Sequence, residues 1–157
     1  MNDDFLVDSN ILIYAFDRAD KKKHLRAKEL LTKCWLGEII LVTSLQNLSE
    51  FFVNVTKKIS KPISETEATD IVKSIIDSRC WTKIAPKPET LLKAMKLSAE
   101  NKTSYWDSLI AATMIENGIF HLYTENTKDF SKINEITAKN LFTNEKLLIP
   151  PDQSYTE

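Results

Sequence analysis

Short apolar runs unbroken by charge recur along this chain, and each is separated from the next by a stretch with helical periodicity. Phe5-Leu6-Val7, Ile39-Ile40-Leu41-Val42 and Phe120-His121-Leu122-Tyr123-Thr124 are such runs; Trp81 to Ala85 and Leu147-Leu148-Ile149 read as two further strands. A strand without alternation between apolar and polar residues has to be covered on both faces, which is the situation of a parallel sheet between helical layers. The intervening segments supply those layers. Ser9 to Phe16 follows the first run at once, and Lys21 to Leu36 carries Leu25, Leu30, Leu31 and Trp35 near one stripe. Ser44 opens a helix with Leu45, Leu48, Phe51, Phe52 and Val55 on one side, and Ser64-Glu65-Thr66-Glu67 is a capping-box signal for a helix to about Ser78. Pro88 starts a helix lasting to about Glu100, and Gly118 closes another that begins at Tyr105. Strands alternating with helices predict an α/β fold with a central, mainly parallel sheet flanked by helices. The 157 residues fit one domain, residues 1–149, followed from Pro150-Pro151 by a polar tail, residues 150–157.

Composition removes several classes of function. Phosphate-cradling loops need glycines to bring backbone amides up to the anion, and the chain has only Gly37 and Gly118. No P-loop or dinucleotide fingerprint can be drawn, so no nucleotide cofactor is expected. A net charge of −1 confines any nucleic-acid contact to a local patch. Two cysteines, Cys34 and Cys80, both in helix-like segments, and an acidic start without the shape of a signal peptide fit a reducing cytoplasm. No apolar run approaches the roughly 20 residues of a membrane span.

Four acidic residues stand where burial is expected. Asp8 ends the first apolar run, Glu50 is the one charge between Leu45 and Asn54, Asp107 interrupts the apolar and small residues from Tyr105 to Ile115, and Asp129 follows the run that ends at Thr124. Each has an ordinary alternative: Asp8 as an N-cap, Glu50 on a solvated helix face, Asp107 as a capping-box partner of Ser104, Asp129 as a turn residue. Against these stands the cost of desolvating a carboxylate, several kcal/mol without a partner, and no Arg or Lys adjoins Asp8, Glu50 or Asp107 in sequence. Gathered by the fold, the four acids would suit a hard divalent cation such as Mg²⁺ or Mn²⁺. Asn47 and Asn54 beside Glu50 can donate hydrogen bonds that orient a ligating carboxylate, and Asn126 offers a neutral carbonyl ligand. His24 and His121 are far apart and outside Cys spacing, so zinc is not indicated, and no GxSxG elbow exists.

Four segments in order, Asp8-Ser9-Asn10-Ile11-Leu12-Ile13-Tyr14-Ala15-Phe16, Ser44-Leu45-Gln46-Asn47-Leu48-Ser49-Glu50-Phe51-Phe52, Tyr105-Trp106-Asp107-Ser108-Leu109-Ile110-Ala111-Ala112 and Leu122-Tyr123-Thr124-Glu125-Asn126-Thr127-Lys128-Asp129-Phe130, resemble the motifs of PIN-domain ribonucleases. Among these, the VapC toxins of toxin–antitoxin pairs are the nearest likeness. The resemblance implies an Mg²⁺- or Mn²⁺-dependent endoribonuclease, a homodimer and an antitoxin that occludes the site. It assigns catalysis and metal binding to Asp8, Glu50 and Asp107. The fourth acidic role goes to Asp129, with Asn126 standing where many relatives have an acid. Ser9 and Thr124 match small hydroxyls beside the acids. It further implies hydrolysis that leaves 5′-phosphate and 3′-hydroxyl ends without the RNA 2′-OH as nucleophile.

RNA would approach over positive charge. Lys21, Lys22, Lys23, Arg26 and Lys28 form the densest basic stretch, and Lys57, Lys58 and Lys61 a second; a solvated helix face explains both equally simply. Rival readings are a PIN domain of RNA processing and a non-catalytic module binding RNA or protein. A remoter rival is an aspartyl-phosphate phosphohydrolase of the haloacid dehalogenase type, which needs a second Asp where this chain has Asn10.

Overall fold

The computed structural model describes residues 3–143, so the predicted strand Leu147–Ile149 and the tail 150–157 lie outside the described residues. In chain order the elements are β1 (Phe5–Val7), α1 (Ser9–Tyr14), α2 (Lys21–Trp35), β2 (Leu41–Ser44), α3 (Leu45–Lys57), α4 (Glu65–Asp77), β3 (Trp81–Ile84), α5 (Pro88–Asn101), α6 (Tyr105–Glu116), β4 (His121–Tyr123), α7 (Thr127–Phe130) and β5 (Thr137–Lys139). The strands make one sheet in the order β3-β2-β1-β4-β5, and every neighbouring pair is parallel.

Both faces of the sheet are covered at its inner strands β1, β2 and β4, which is why these show no polar alternation, while the edge strands β3 and β5 carry exposed polar residues. Phe5, Val7, Leu41 and Tyr123 face one way, against Ile11, Leu12, Leu30, Leu31, Phe51 and Val55. Leu6, Val42 and Leu122 face the other, against Ile110, Ala111, Met114 and Phe130. Helix α6 is buried continuously from Ser108 to Met114. It ends at Gly118, whose φ of 69° lies in the left-handed region where glycine carries no Cβ penalty.

The topology reverses at β1. From β1 the chain moves outward through β2 to β3, then crosses back to β4 on the opposite side of β1. Open α/β sheets form a crevice at the carboxyl ends of the strands where this reversal occurs. Val7 pairs with Tyr123 in register, so Asp8 and Thr124 leave the sheet side by side at that crevice. The backbone N–H of Asp8 donates to the Tyr123 carbonyl at 3.0 Å.

Several details differ from the sequence expectation. Strand β2 starts at Leu41 rather than Ile39 and runs on through buried Thr43 and Ser44, while Ile40 is 53% exposed. Pairing with β3, from Leu41 opposite Trp81 to Ser44 opposite Ile84, sets those limits, not apolar content. On α2 the buried stripe is Ala27, Leu30, Leu31 and Cys34, so Leu25 and Trp35 lie to one side of it, exposed. Cys80 occupies the turn before β3, not a helix; the Cys34 thiol donates to its carbonyl at 3.3 Å, and both thiols are free. Nothing in the sequence pattern signals the short elements α7 and β5. Among the described residues no helix is long and apolar enough to cross a membrane.

Candidate active site

Asp8 is the most enclosed of the acids, at 5% exposure. It stands at the N-cap position of α1, but only one of its contacts is a cap: Oδ1 accepts from the Ser9 N–H at 2.8 Å. The same oxygen accepts from Asn47 Nδ2 at 3.2 Å, while Oδ2 accepts from the Thr124 hydroxyl at 2.7 Å and from Asn10 Nδ2 at 3.3 Å. Donors from three separate segments therefore converge on one carboxylate.

Local sequence explains why those donors point inward. Ser44 caps α3 by accepting the Asn47 N–H at 3.0 Å, and the Asn47 carbonyl oxygen accepts from Ser44 Oγ at 2.7 Å. This reciprocal box fixes the Asn47 side chain with its amide nitrogen toward Asp8, so Asn47 orients Asp8 rather than the expected Glu50. Asn54 does not reach the Glu50 carboxylate either; its amide donates to the Glu50 backbone carbonyl at 2.8 Å. Thr124 Oγ1 accepts the Asn126 N–H at 3.0 Å, which shapes the loop after β4. Outside its motif, Asn10 reads in sequence only as a departure from a rival pattern. Its amide braces the crevice by donating to Asp8 and Thr124 and accepting from the Glu125 N–H at 3.3 Å.

Glu50 lies on the second turn of α3 and is half-buried. Its Oε2 accepts from Ser9 Oγ at 2.7 Å, and its Oε1 from Gln46 Nε2 at 3.0 Å, one helical turn earlier. Ser9 thus links the first acidic motif to the second. The sequence reading misses Gln46; its place four residues before Glu50 is the signal that could have found it.

Asp107 is half-buried in the first turn of α6. Its N–H donates to Ser104 Oγ at 3.1 Å, as a capped helix requires, and its Oδ2 accepts from Asn126 Nδ2 at 2.9 Å. Asp129, on α7, is partly exposed and pairs through Oδ1 with Lys132 at 3.4 Å. Asn126 therefore contacts Asp107 directly, whereas Asp129 is near enough only for its charge to be felt there.

The acids act on one another. Burial pushes the Asp8 carboxyl up from 3.8 to about 6; hydrogen bonds from Thr124 and Ser9 oppose this, and the charges of Glu50 and Asp107 add to it. Asp107 is also raised, first by burial, against the Ser104 hydrogen bond, with Asp129 and Glu50 contributing repulsion. Among the described residues no three acidic, His or Cys side chains close into a metal cage. The donor set is all oxygen. Mg²⁺ retains several waters and needs only one or two carboxylates, so an open group of acids fits it better than it fits zinc.

The basic stretches fall unevenly around this site. Lys21, Lys22, Lys57 and Lys58 are exposed. Lys23 pairs with Glu125, which also accepts from the Tyr14 hydroxyl at 3.0 Å. Arg26 engages Glu29 and the Leu141 carbonyl. Lys57 follows Glu50 by seven residues on α3, which places it about 10 Å farther along the helix. Lys28 and Lys61 line a separate cavity of about 600 Å³ together with Arg18 and His24, and none of the four acids borders it.

A model of the PIN domain matches residues 5–136. No curated protein matches the sequence. Solved structures resemble the fold over most of its length. VapC20 of Mycobacterium tuberculosis, described as a sarcin-ricin loop cleaving toxin, is 18% identical with a TM-score of 0.61, covering 81% of this chain and 93% of that one. A toxin–antitoxin complex from Klebsiella pneumoniae is 25% identical with a TM-score of 0.60, over 85% and 95% of the respective chains. VapBC2 from Rickettsia felis, bound to a DNA fragment from the promoter, is 21% identical with a TM-score of 0.59, over 87% and 97%.

Proposed function

The chain belongs to the PIN domain family, and from that premise we propose that it is a metal-dependent endoribonuclease acting as the toxin of a toxin–antitoxin pair. The observation that carries this reading is Asp8: a carboxylate enclosed at the crevice of the sheet, held by donors from three segments and raised toward neutrality by its burial. Mg²⁺ or Mn²⁺ would be held by Asp8 and Asp107; Glu50, and Asp129 or Asn126 at the fourth position, would reach it directly or through retained water. Such an ion, when bound, lowers the pKa of water and offsets charge on a phosphodiester.

The chain's own residues do the positioning. Thr124, Asn47 and Ser9 hold the Asp8 and Glu50 carboxylates toward the crevice, and Asn126 holds Asp107. All four acceptor directions of Asp8 are engaged, so taking up an ion exchanges one of them; the Asn10 contact, at 3.3 Å, is the longest. Two solved structures similar in fold are toxin–antitoxin assemblies, which supports an antitoxin partner for this chain. The exposed apolar residues Leu91, Leu92 and Met95 on α5 suit a homodimer contact. The activity suits a cytoplasmic protein.

The protein should cut RNA with Mg²⁺ or Mn²⁺, stop with EDTA and leave 5′-phosphate ends. Cyclic 2′,3′-phosphate products would instead show attack by the 2′-OH and exclude this chemistry; RNA binding without cleavage would leave a non-catalytic module. Changing Lys57 and Lys58 to Gln should weaken RNA binding and reduce its salt slope by about 1 for each phosphate that is no longer neutralised. An unchanged slope assigns both lysines to solvent alone.

A further inference from the structure

We propose that Trp106 is a stacking platform for an unpaired nucleobase next to the scissile phosphate, an inference that rests on the ribonuclease reading above. Of the three tryptophans, Trp81 is buried at 1% exposure and Trp35 is 41% exposed, while Trp106 is the most exposed at 63%. It immediately precedes Asp107 in the first turn of α6, at the mouth of the acidic crevice. An exposed indole is a large apolar surface left in water, and it stands where the substrate would pass.

The ring is also fixed in place. The Trp106 carbonyl accepts from Gln46 Nε2 at 3.2 Å, and the same amide nitrogen donates to Glu50 Oε1. One side chain thus ties the platform's backbone to a candidate ligand of the ion. Tyr105 packs edge-on against the indole, with ring centroids 5.2 Å apart and planes at 69°, which restricts its rotation. A flat, braced aromatic face beside a phosphate-binding centre matches how single-stranded nucleic acid is held: backbone charge at one point, a base on the ring at the next. The groups that tie its backbone to the crevice, Gln46 at its carbonyl and Asp107 next in the chain, are polar, unlike the apolar centre of a protein interface. Stacking tolerates any base but requires that base to be unpaired, so the geometry selects loops and single strands over duplex.

The test compares wild type, Trp106→Ala and Trp106→Phe on one RNA presented as a loop and as a duplex, with Mn²⁺ present. Trp106→Ala should raise KM for the loop roughly ten- to a hundredfold, with kcat changing far less, and erase the preference for loop over duplex. Trp106→Phe should recover most of the loss. An abasic nucleotide beside the cleaved bond should cost the wild type a comparable factor and cost Trp106→Ala nothing more. An unchanged KM in Trp106→Ala, or an additive loss on the abasic RNA, overturns the platform while leaving the nuclease reading intact. A change in sedimentation of Trp106→Ala would assign the ring to a protein contact and overturn it as well. A wild type that cuts neither RNA removes both readings together.

Discussion

Substituting Asp107 by Asn is expected to lower kcat for RNA cleavage at least a hundredfold, at little cost to folding. Asn keeps the shape of the side chain, and its carbonyl oxygen can still accept from Asn126 Nδ2, the 2.9 Å contact that Asp107 makes. The backbone bond from residue 107 to Ser104 Oγ is untouched, so α6 remains capped. What disappears is a unit of negative charge at the position where a cation would be held. Removing a single preorganised group at a reacting centre typically costs roughly 10²–10³ in kcat, and cation affinity falls with it. If Asp107 served only the helix start, cleavage would persist and stability would fall by about 0.5–1 kcal/mol. Cleavage kinetics beside circular dichroism separate the two. Asp8→Asn is a less clean version of this experiment. Four donors converge on Asp8, and an amide there would turn its own N–H toward two of them.

Asp8, Glu50 and Asp107 stand out because burying charge is costly enough to leave a mark in sequence, each ending or interrupting an apolar stretch; Asp129, between Lys128 and Phe130, carries no such mark. The acids' company stands out less. Asn47 reads as a hydrogen-bond donor, but its target depends on the capping box with Ser44, which turns the amide from Glu50 to Asp8. Asn10 leaves no trace, since a short polar residue after an acid has many ordinary explanations, and Gln46 is signalled only by its place four residues before Glu50. Trp106 belongs to a segment whose apolar residues suggest burial throughout, yet α6 is buried only from Ser108, and Trp106 in its first turn is left in solvent. In the fold, strands covered on both faces announce themselves, and β1, β3 and β4 fall close to expectation. Strand β5 does not: Thr137-Ala138-Lys139 is an edge with one neighbour and, unlike edge strand β3 with its buried Trp81 and Ile84, has no buried residue, so its pattern owes more to solvent than to the core. Lys23 looks like a surface cation, and only the fold brings it to Glu125.

Metal-free protein should lose stability relative to its Asp8→Asn variant as pH rises from about 4 to 7. The folded Asp8 carboxyl titrates at about 6, against the ordinary 3.8, so between those values the folded state holds a proton that the unfolded chain has released. Stability contributed by this group is therefore present below about pH 4 and declines as pH climbs through 6, by roughly 3 kcal/mol over the window. For a chain of this size that amounts to about 6–12 °C in Tm. Asp107 is shifted in the same direction, but it is present in both proteins, so its own titration cancels in the comparison. Referring the wild type to Asp8→Asn at each pH cancels titrations elsewhere in the chain and any fixed cost of the new amide. At pH 7, Mn²⁺ should raise the wild-type Tm by mass action and the variant's much less, and the wild-type gain should shrink toward pH 5, where protons compete for the carboxylates. A difference that stays flat, or that grows in favour of the wild type with rising pH, would mean that four donors already satisfy an ionised Asp8. In that case Asp8 is an elaborate cap, and the acids of this crevice do not await a cation.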